Sequence, residues 1–221
     1  MSQVSAKAYK GLGMEGVVAK WYAATTKKSM EDFRALARRV AQEIRPNSAV
    51  LEVAPGPGYF TIELAKLGTF RVTGLDISKT FVDIARRNAR QSGVNAAFEV
   101  GNASSMPFES STFDFLLCRA AFKNFAEPVR ALQEMYRVLK PGGRALIIDL
   151  RRDTPQKAVN QMVDEMHLGL GSAVLTKLTF RFMLLKRAYT RGEFEQFLSQ
   201  TRFGKVDIQE SLTGLEVWLE K

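Results

Sequence analysis

The chain has 221 residues, 46% hydrophobic and 25% charged, the balance of a globular protein with one sizeable core. Its lone cysteine, Cys118, excludes an intramolecular disulfide, and with a single histidine it leaves no ligand cluster for a metal. The net charge of +9 invites acidic partners. Yet Lys and Arg are scattered apart from Arg38-Arg39, Arg86-Arg87, Arg151-Arg152 and Lys186-Arg187, so a solvated basic surface is favoured over a nucleic-acid track. With no apolar run of bilayer length and a polar, basic N-terminus, the expected location is cytoplasmic.

Residues 1–47 read as a helical cover. Gly11, Gly13 and Gly16 interrupt the first stretch, and Val17–Tyr22 forms a short helix. Ser29–Ile44 is a longer one, with Phe33, Leu36, Ala37, Val40, Ala41 and Ile44 on one stripe and Ser29 with Asp32 resembling a capping box. The apolar run Val50–Val53 then reads as a buried parallel strand that breaks at Ala54-Pro55-Gly56-Pro57-Gly58 and resumes as a helix through Phe60, Leu64 and Leu67.

A strand turning tightly into a helix directs unpaired N–H groups into the crevice beyond the strand's carboxyl end. Gly56 and Gly58 let backbone approach a ligand with no Cβ in the way. Glu52 places a carboxylate inside the apolar strand, where a buried charge needs a partner, and a ligand's ammonium is a candidate. The next strand, about 70–75, ends in Asp76, the position from which ribose hydroxyls are gripped. Turn plus acid fits a dinucleotide or S-adenosylmethionine. Thr61 stands where the dinucleotide fingerprint wants its third glycine, which weakens the first option.

Downstream come a helix (78–91), a strand (96–100) with Gly101-Asn102-Ala103 at its end, and a fourth strand ending at Cys118. Glu127-Pro128 opens a helix carrying Val129, Leu132, Met135 and Leu139 inward, and Pro141-Gly142-Gly143 closes it before a strand at 145–150. In 154–187, Leu168, Leu175, Leu178, Phe182 and Leu185 recur at helical spacing, giving a long amphipathic helix or a broken pair. Thr190 with Glu193 starts a terminal helix, and 203–209 with 212–219 reads as a hairpin.

Glu52-x-Ala54-x-Gly56-x-Gly58 resembles the first motif of the class I S-adenosylmethionine-dependent methyltransferases. Val100–Phe108, Ser111–Cys118 and Ala131–Gly143 are similar to later segments of that family, in order, over about residues 48–150, and closest to its small-molecule branch of quinone and sterol C-methyltransferases. The resemblance implies an α/β, Rossmann-like, seven-stranded, mostly parallel sheet with helices on both faces and an antiparallel terminal strand. It implies one domain: an N-terminal helical cover (1–47), a cofactor-binding core (48–150), a lid-like insertion (151–190), and a terminal helix and hairpin (191–221).

By the same resemblance, Glu52, Ala54, Gly56 and Gly58 take the amino-acid end of S-adenosylmethionine. Asp76 and Ile77 take the ribose and one adenine face, Asn102 and Ala103 the adenine edge, and backbone at Arg119 the methionine portion. In relatives an N-terminal segment with an aromatic residue folds over the cofactor, a role open here to Tyr22 and Trp21, with packing on the sheet's edge as the plain alternative. Relatives carry histidines in the loop after the fourth strand, but here it reads Arg119-Ala-Ala-Phe-Lys-Asn-Phe125. Lys123 becomes a candidate base or anion holder, with a solvent-facing loop residue as the plain alternative.

His167, the one histidine, is the other candidate catalytic residue, against a packing role. Trp21, Phe122, Lys123, Asn124, Arg152 and His167 are the expected substrate contacts. The expected reaction is in-line methyl transfer to a small apolar or aromatic acceptor, with positioning dominant. An RNA or protein methyltransferase and a non-catalytic S-adenosylmethionine-binding partner protein stay open. The expected assembly is a monomer or homodimer, and membrane-surface contact by the basic, apolar stretch 177–186 ranks below a lid or dimer role.

Overall fold

In the computed structural model, β1 (Ala49–Val53) is the strand on which the rest is laid, and all five of its residues are buried. Residues 9, 10, 13–165 and 170–221 are described. A strand buried on both faces is largely apolar and pairs on both edges, and β1 does so with Glu52 as its one charged residue. It runs parallel to β2 (Arg71–Asp76) on one side and β4 (Phe113–Arg119) on the other.

The sheet has seven strands in the order β3-β2-β1-β4-β5-β7-β6, with β3 (Ala96–Val100), β5 (Leu139–Leu150), β6 (Lys205–Glu210) and β7 (Gly214–Glu220) completing it. Only β7 runs against its neighbours, β5 and β6. The expected architecture is present. Strand order reverses at β1, so the crevice between the carboxyl ends of β1 and β4 is the topological switch point where such sheets take ligands.

Alternation along β4 divides the core. Phe115 and Leu117 face Leu36 and Val40 of α2 (Met30–Glu43) and Phe60 and Leu64 of α3 (Tyr59–Ala65). Leu116 and Cys118 face Leu132 and Met135 of α5 (Pro128–Val138) and Phe194 and Leu198 of α9 (Arg191–Leu198). Each such fully buried side chain contributes about 1.5–3 kcal/mol of transfer free energy. α4 (Lys79–Gln91) follows β2, and its Val82, Ala85 and Ala89 enclose Phe98 of β3.

Two local expectations change. Ser29 makes no capping bond, because α1 (Gly16–Thr26) continues through a short 3₁₀ turn at Lys27–Ser29 directly into α2. The helix of 128–138 ends before Pro141. Leu139 already pairs with Phe113, and the Lys140–Gly143 turn loops out where the register jumps to Phe115 with Arg144. The capping box at Thr190 and Glu193 is present, as is Pro128 in the first turn of α5.

The insertion after β5 folds as α6 (Gln156–Glu165), α7 (Leu170–Thr179), a π-helical turn (Phe180–Leu184) and α8 (Leu185–Arg187). His167 and Leu168 lie outside the described residues. Among the described residues no helix is long and apolar enough to cross a membrane.

Candidate functional site

The carboxyl tips of β1 and β2 are stitched together by the two buried acids expected there. Asp76 accepts from the Gly56 N–H and the Ser78 N–H, each at 2.9 Å. Glu52 Oε2 accepts from the Thr61 N–H at 3.0 Å and from the Thr61 hydroxyl. Both carboxyls are nearly sealed from solvent, and burial pushes Glu52 up to about 7 and Asp76 up to about 6 despite these donors. Two poorly solvated acids at one crevice are an environment in which a cationic ligand is stabilised.

The two glycines of the turn do different work. Gly56 has φ +55°, and a Cβ built there meets nothing closer than the Tyr22 ring at 3.9 Å, so this backbone lies open toward the crevice. A Cβ on Gly58 (φ +78°) would sit 2.9 Å from Ala85 and from Phe98. Gly58 is therefore needed for packing α3 against α4 and β3, a correction to its reading as a ligand-facing position. Ala54 and Ala120, at the tips of β1 and β4, are also left-handed (φ 58° and 56°). Such non-glycine strain costs about 1–3 kcal/mol and concentrates at functional sites.

Tyr22 of α1 roofs Gly56, its ring edge-on to Phe81 at 5.8 Å, and burial raises its hydroxyl pKa above the usual tyrosine range. α1 is fastened over the crevice by the Tyr59 hydroxyl donating to the Ala23 carbonyl (2.8 Å) and the Ser78 hydroxyl donating to the Met14 carbonyl (2.6 Å). Its neighbour Trp21 is 66% exposed. The Arg119 guanidinium lies over the Phe33 ring at 4.5 Å, within electrostatic reach of Glu52 and Tyr22. Ile77 sits half-buried beside Asp76.

Asn102 and Ala103 stand at the tip of β3, as expected. The Asn102 side-chain oxygen is occupied, however: it accepts from the Ser104 N–H at 2.9 Å, the local turn asparagine favours. That oxygen is thus engaged within the loop.

The loop after β4 departs furthest from expectation. Phe122 is fully buried in an aromatic cluster, stacked on Phe194 at 5.0 Å and edge-on to Phe125 and Tyr189. It is a core residue. Lys123 is not solvent-facing but buried. Its Nζ donates to Asp149 Oδ1 at 2.8 Å and to the Ala120 carbonyl, while its N–H donates to Asp149 Oδ2 at 2.8 Å. Asn124 remains at the rim, with its Oδ1 buried and unpartnered among the described residues. Arg152 pairs with Glu193 at 2.8 Å and donates to the Ala188 carbonyl.

Asp149, at the carboxyl end of β5, is the partner that fixes Lys123. Sequence reasoning missed two further contributors. Tyr9 pairs with Phe125 across the loop, and its buried phenol, raised in pKa mainly by that burial, feels Asp76, Asp149 and Arg187. Lys10 donates its N–H to the Asn124 carbonyl at 2.7 Å and its ammonium to the Tyr189 hydroxyl. Only contact across the fold reveals these; no spacing in the chain does. Among the described residues no group of three or more His, Cys, Asp or Glu is placed to hold a metal.

Parts of the chain are similar to known proteins. Residues 51–147 match the family model described as a methyltransferase domain. A demethylmenaquinone methyltransferase of Deinococcus radiodurans is 38% identical over 101 residues, 45% of this chain and 42% of that protein. A ubiquinone/menaquinone biosynthesis C-methyltransferase of Escherichia fergusonii is 34% identical over 113 residues, 49% of this chain and 45% of that protein. The matched stretch thus spans less than half the length of either curated relative. A solved structure of a protein from Methanococcus maripaludis, titled a putative S-adenosyl-L-methionine-dependent methyltransferase, superposes with TM-score 0.76 at 18% identity, covering 96% of this chain and 95% of its own. That likeness extends the fold over nearly the full length.

Proposed function

We propose that the chain is a class I S-adenosylmethionine-dependent methyltransferase, a reading supported by the match over residues 51–147 and by its partial relatives, and that it methylates a small apolar or aromatic acceptor. The observation that carries the reading is the crevice at the β1 and β2 tips: an open Gly56 backbone between two buried carboxyls, roofed by Tyr22. These residues fit the cofactor. Gly56 leaves room where a Cβ would intrude, Asp76 offers carboxylate lone pairs for ribose hydroxyls, and Glu52 offers charge for an ammonium.

S-adenosylmethionine supplies a methyl group on a sulfonium, which is its own leaving group. The protein's part is then alignment and exclusion of water. Tyr22, α1 and the Tyr9–Lys10 strap close the mouth over Gly56 and Asn124. Lys123, locked to Asp149, holds the loop that faces the acceptor rather than moving a proton. With that ammonium engaged, the fitting acceptor is a soft or already deprotonated nucleophile, at carbon or elsewhere. The Asn124 oxygen is suited to receive a hydroxyl donor from it. The quinone methyltransferases among the relatives agree with such a ring-bearing acceptor.

Titration calorimetry with S-adenosylhomocysteine and, in parallel, NADH tests the cofactor half. We expect binding of the first alone, weakened at least tenfold in Asp76→Ala. NADH binding, or unchanged affinity in the variant, would overturn it. Transfer of labelled methyl to hydroxylated aromatic acceptors tests the rest, and label appearing only in RNA or protein would redirect the substrate class.

A further inference from the structure

The insertion after β5 turns its apolar stripe the wrong way for a lid. Leu185 packs inward on Val159 and Val163 of α6, with Leu150 and Phe180 beside them, and this small core uses up the inward face. Val174, Leu178, Phe182 and Met183 point outward, 47–59% exposed, and the first three fall at i, i+4 and i+8 along α7 and the π-helical turn. Cations frame this ridge. The Arg181 guanidinium and the Lys186 ammonium lie over the Phe182 ring at 5.3 and 5.7 Å, and Lys177 flanks Leu178. From Met166 to Gly192 the sequence holds five Lys or Arg and no Asp or Glu. Below the ridge, Arg152, Arg181 and Lys186 share the lining of an open groove of about 490 Å³ with Thr154 and Gln156.

We propose that this face binds the surface of an anionic lipid bilayer, with Leu178, Phe182 and Met183 entering the acyl boundary and Arg181 and Lys186 meeting lipid phosphates. Exposed apolar residues on a helix framed by basic ones are what an interfacial helix requires. The Arg181 guanidinium and Lys186 ammonium, held over the Phe182 ring, set positive charge directly beside the apolar ridge, where headgroup phosphates meet the acyl boundary. Charge complementarity selects this occupant. Asp164 and Glu193 at the margins are already paired, to Lys177 and Arg152 at 2.8 Å each, so a second copy docking the same patch on itself would set Arg181 and Lys186 of the two copies together, an arrangement that costs energy in a two-fold contact. Nucleic acid would satisfy the cations but leave a protruding aliphatic ridge without a counterpart.

The face leads into Ala188 and Tyr189, and Tyr189 touches both Phe122 of the site loop and Lys10 of the strap. The membrane-bound side is thus the side from which an apolar molecule would reach the crevice. Binding itself does not depend on the methyltransferase reading.

Flotation of the full chain with phosphatidylcholine vesicles, and with vesicles containing phosphatidylglycerol as well, tests the proposal. We expect partition onto the anionic vesicles that falls as salt is raised. Arg181→Gln with Lys186→Gln should weaken it about thirty-fold, the equivalent of about 1 kcal/mol per cation near the surface. Leu178→Ser with Phe182→Ser should weaken it about tenfold or more at every salt concentration, through lost apolar burial. Both variants should keep the wild-type melting temperature and S-adenosylhomocysteine affinity, which separates this result from any failure of the cofactor reading.

Equal partition onto both vesicle types, or none onto either, overturns the proposal. So does a wild-type dimer in sedimentation velocity that dissociates in the Leu178/Phe182 variant without vesicle binding. Retention of a single-stranded RNA probe that is lost in the Arg181/Lys186 variant, again without vesicle binding, would assign the face to nucleic acid instead.

Discussion

Lys123 and Asp149 show how much one buried pair fixes. Both side chains are about 95% or more shielded, so neither charge has water to fall back on. Removing one partner leaves the other uncompensated, and Lys123→Met should destabilise the fold by about 3–5 kcal/mol. Replacing both, as Lys123→Met with Asp149→Leu, should restore much of that loss, because an apolar pair carries no desolvation penalty. Urea unfolding of the two singles and the double closes the cycle. If Lys123→Met unfolds at the wild-type urea concentration, the pair is not what holds the loop.

The turn glycines offer a second division at this scale. Gly58→Ala meets both a left-handed φ and contacts at 2.9 Å, so it should lower stability by more than the roughly 1 kcal/mol that φ alone costs. Gly56→Ala meets the φ cost and no clash, and its larger effect should be on S-adenosylhomocysteine affinity, because its methyl projects toward the crevice. Thermal melts beside calorimetry read the split. Equal affinity losses in the two variants would contradict it.

At the scale of elements, the tips of β1 and β2 bind protons in the folded state that the unfolded chain has released. Glu52 and Asp76 are raised to about 7 and about 6 by burial, so the native state holds more protons than the unfolded state between about pH 4 and pH 7. Stability from these groups is therefore full below their unfolded values and is lost as pH rises through 6 to 7. The carboxylates with lowered values, such as Asp114 and Glu134, act in the opposite sense at more acidic pH. Between pH 5 and pH 8 the urea midpoint should fall, and Glu52→Gln should flatten that fall.

Affinity for a ligand ammonium should move the other way, rising with pH as Glu52 ionises. A midpoint that rises over this window in the wild type, with the same rise in Glu52→Gln, would mean that another group controls it.

The order of elements was legible because hydrophobic period, glycine turns and strand-end acids are local signals. Val50–Val53, the turn at 54–58, Asp76 and the 190/193 capping box all stand where sequence put them. What escaped depends on packing across the fold. Phe122 looked like a pocket aromatic until Phe194, from a helix seventy residues on, stacked against it. The choice between a buried and a solvent-facing Lys123 stayed open because nothing in its own loop announces Asp149. Ser29 lost its cap because α1 runs on into α2, a continuity no propensity at position 29 reveals.

For the whole molecule, the crevice, the α1 roof and the strap from Lys10 to Tyr189 act together. A ligand that binds the folded state and not the unfolded one stabilises every element tied to it, by about 2.7 kcal/mol at a hundred times its dissociation constant. For a chain of this length each kcal/mol moves the melting temperature by roughly 2–4 °C, so saturating S-adenosylhomocysteine should raise it by about 5–10 °C. NADH at the same excess should leave it unchanged. The roof refines this expectation. Tyr22→Ala removes the ring over Gly56 without touching either acid, so the shift should shrink while some binding remains, whereas Asp76→Ala should remove most of it. A full shift in Tyr22→Ala would mean that α1 packs on the sheet without closing over the ligand. The Gly56 crevice would then be a binding site open to solvent, and the exclusion of water would fall to the acceptor.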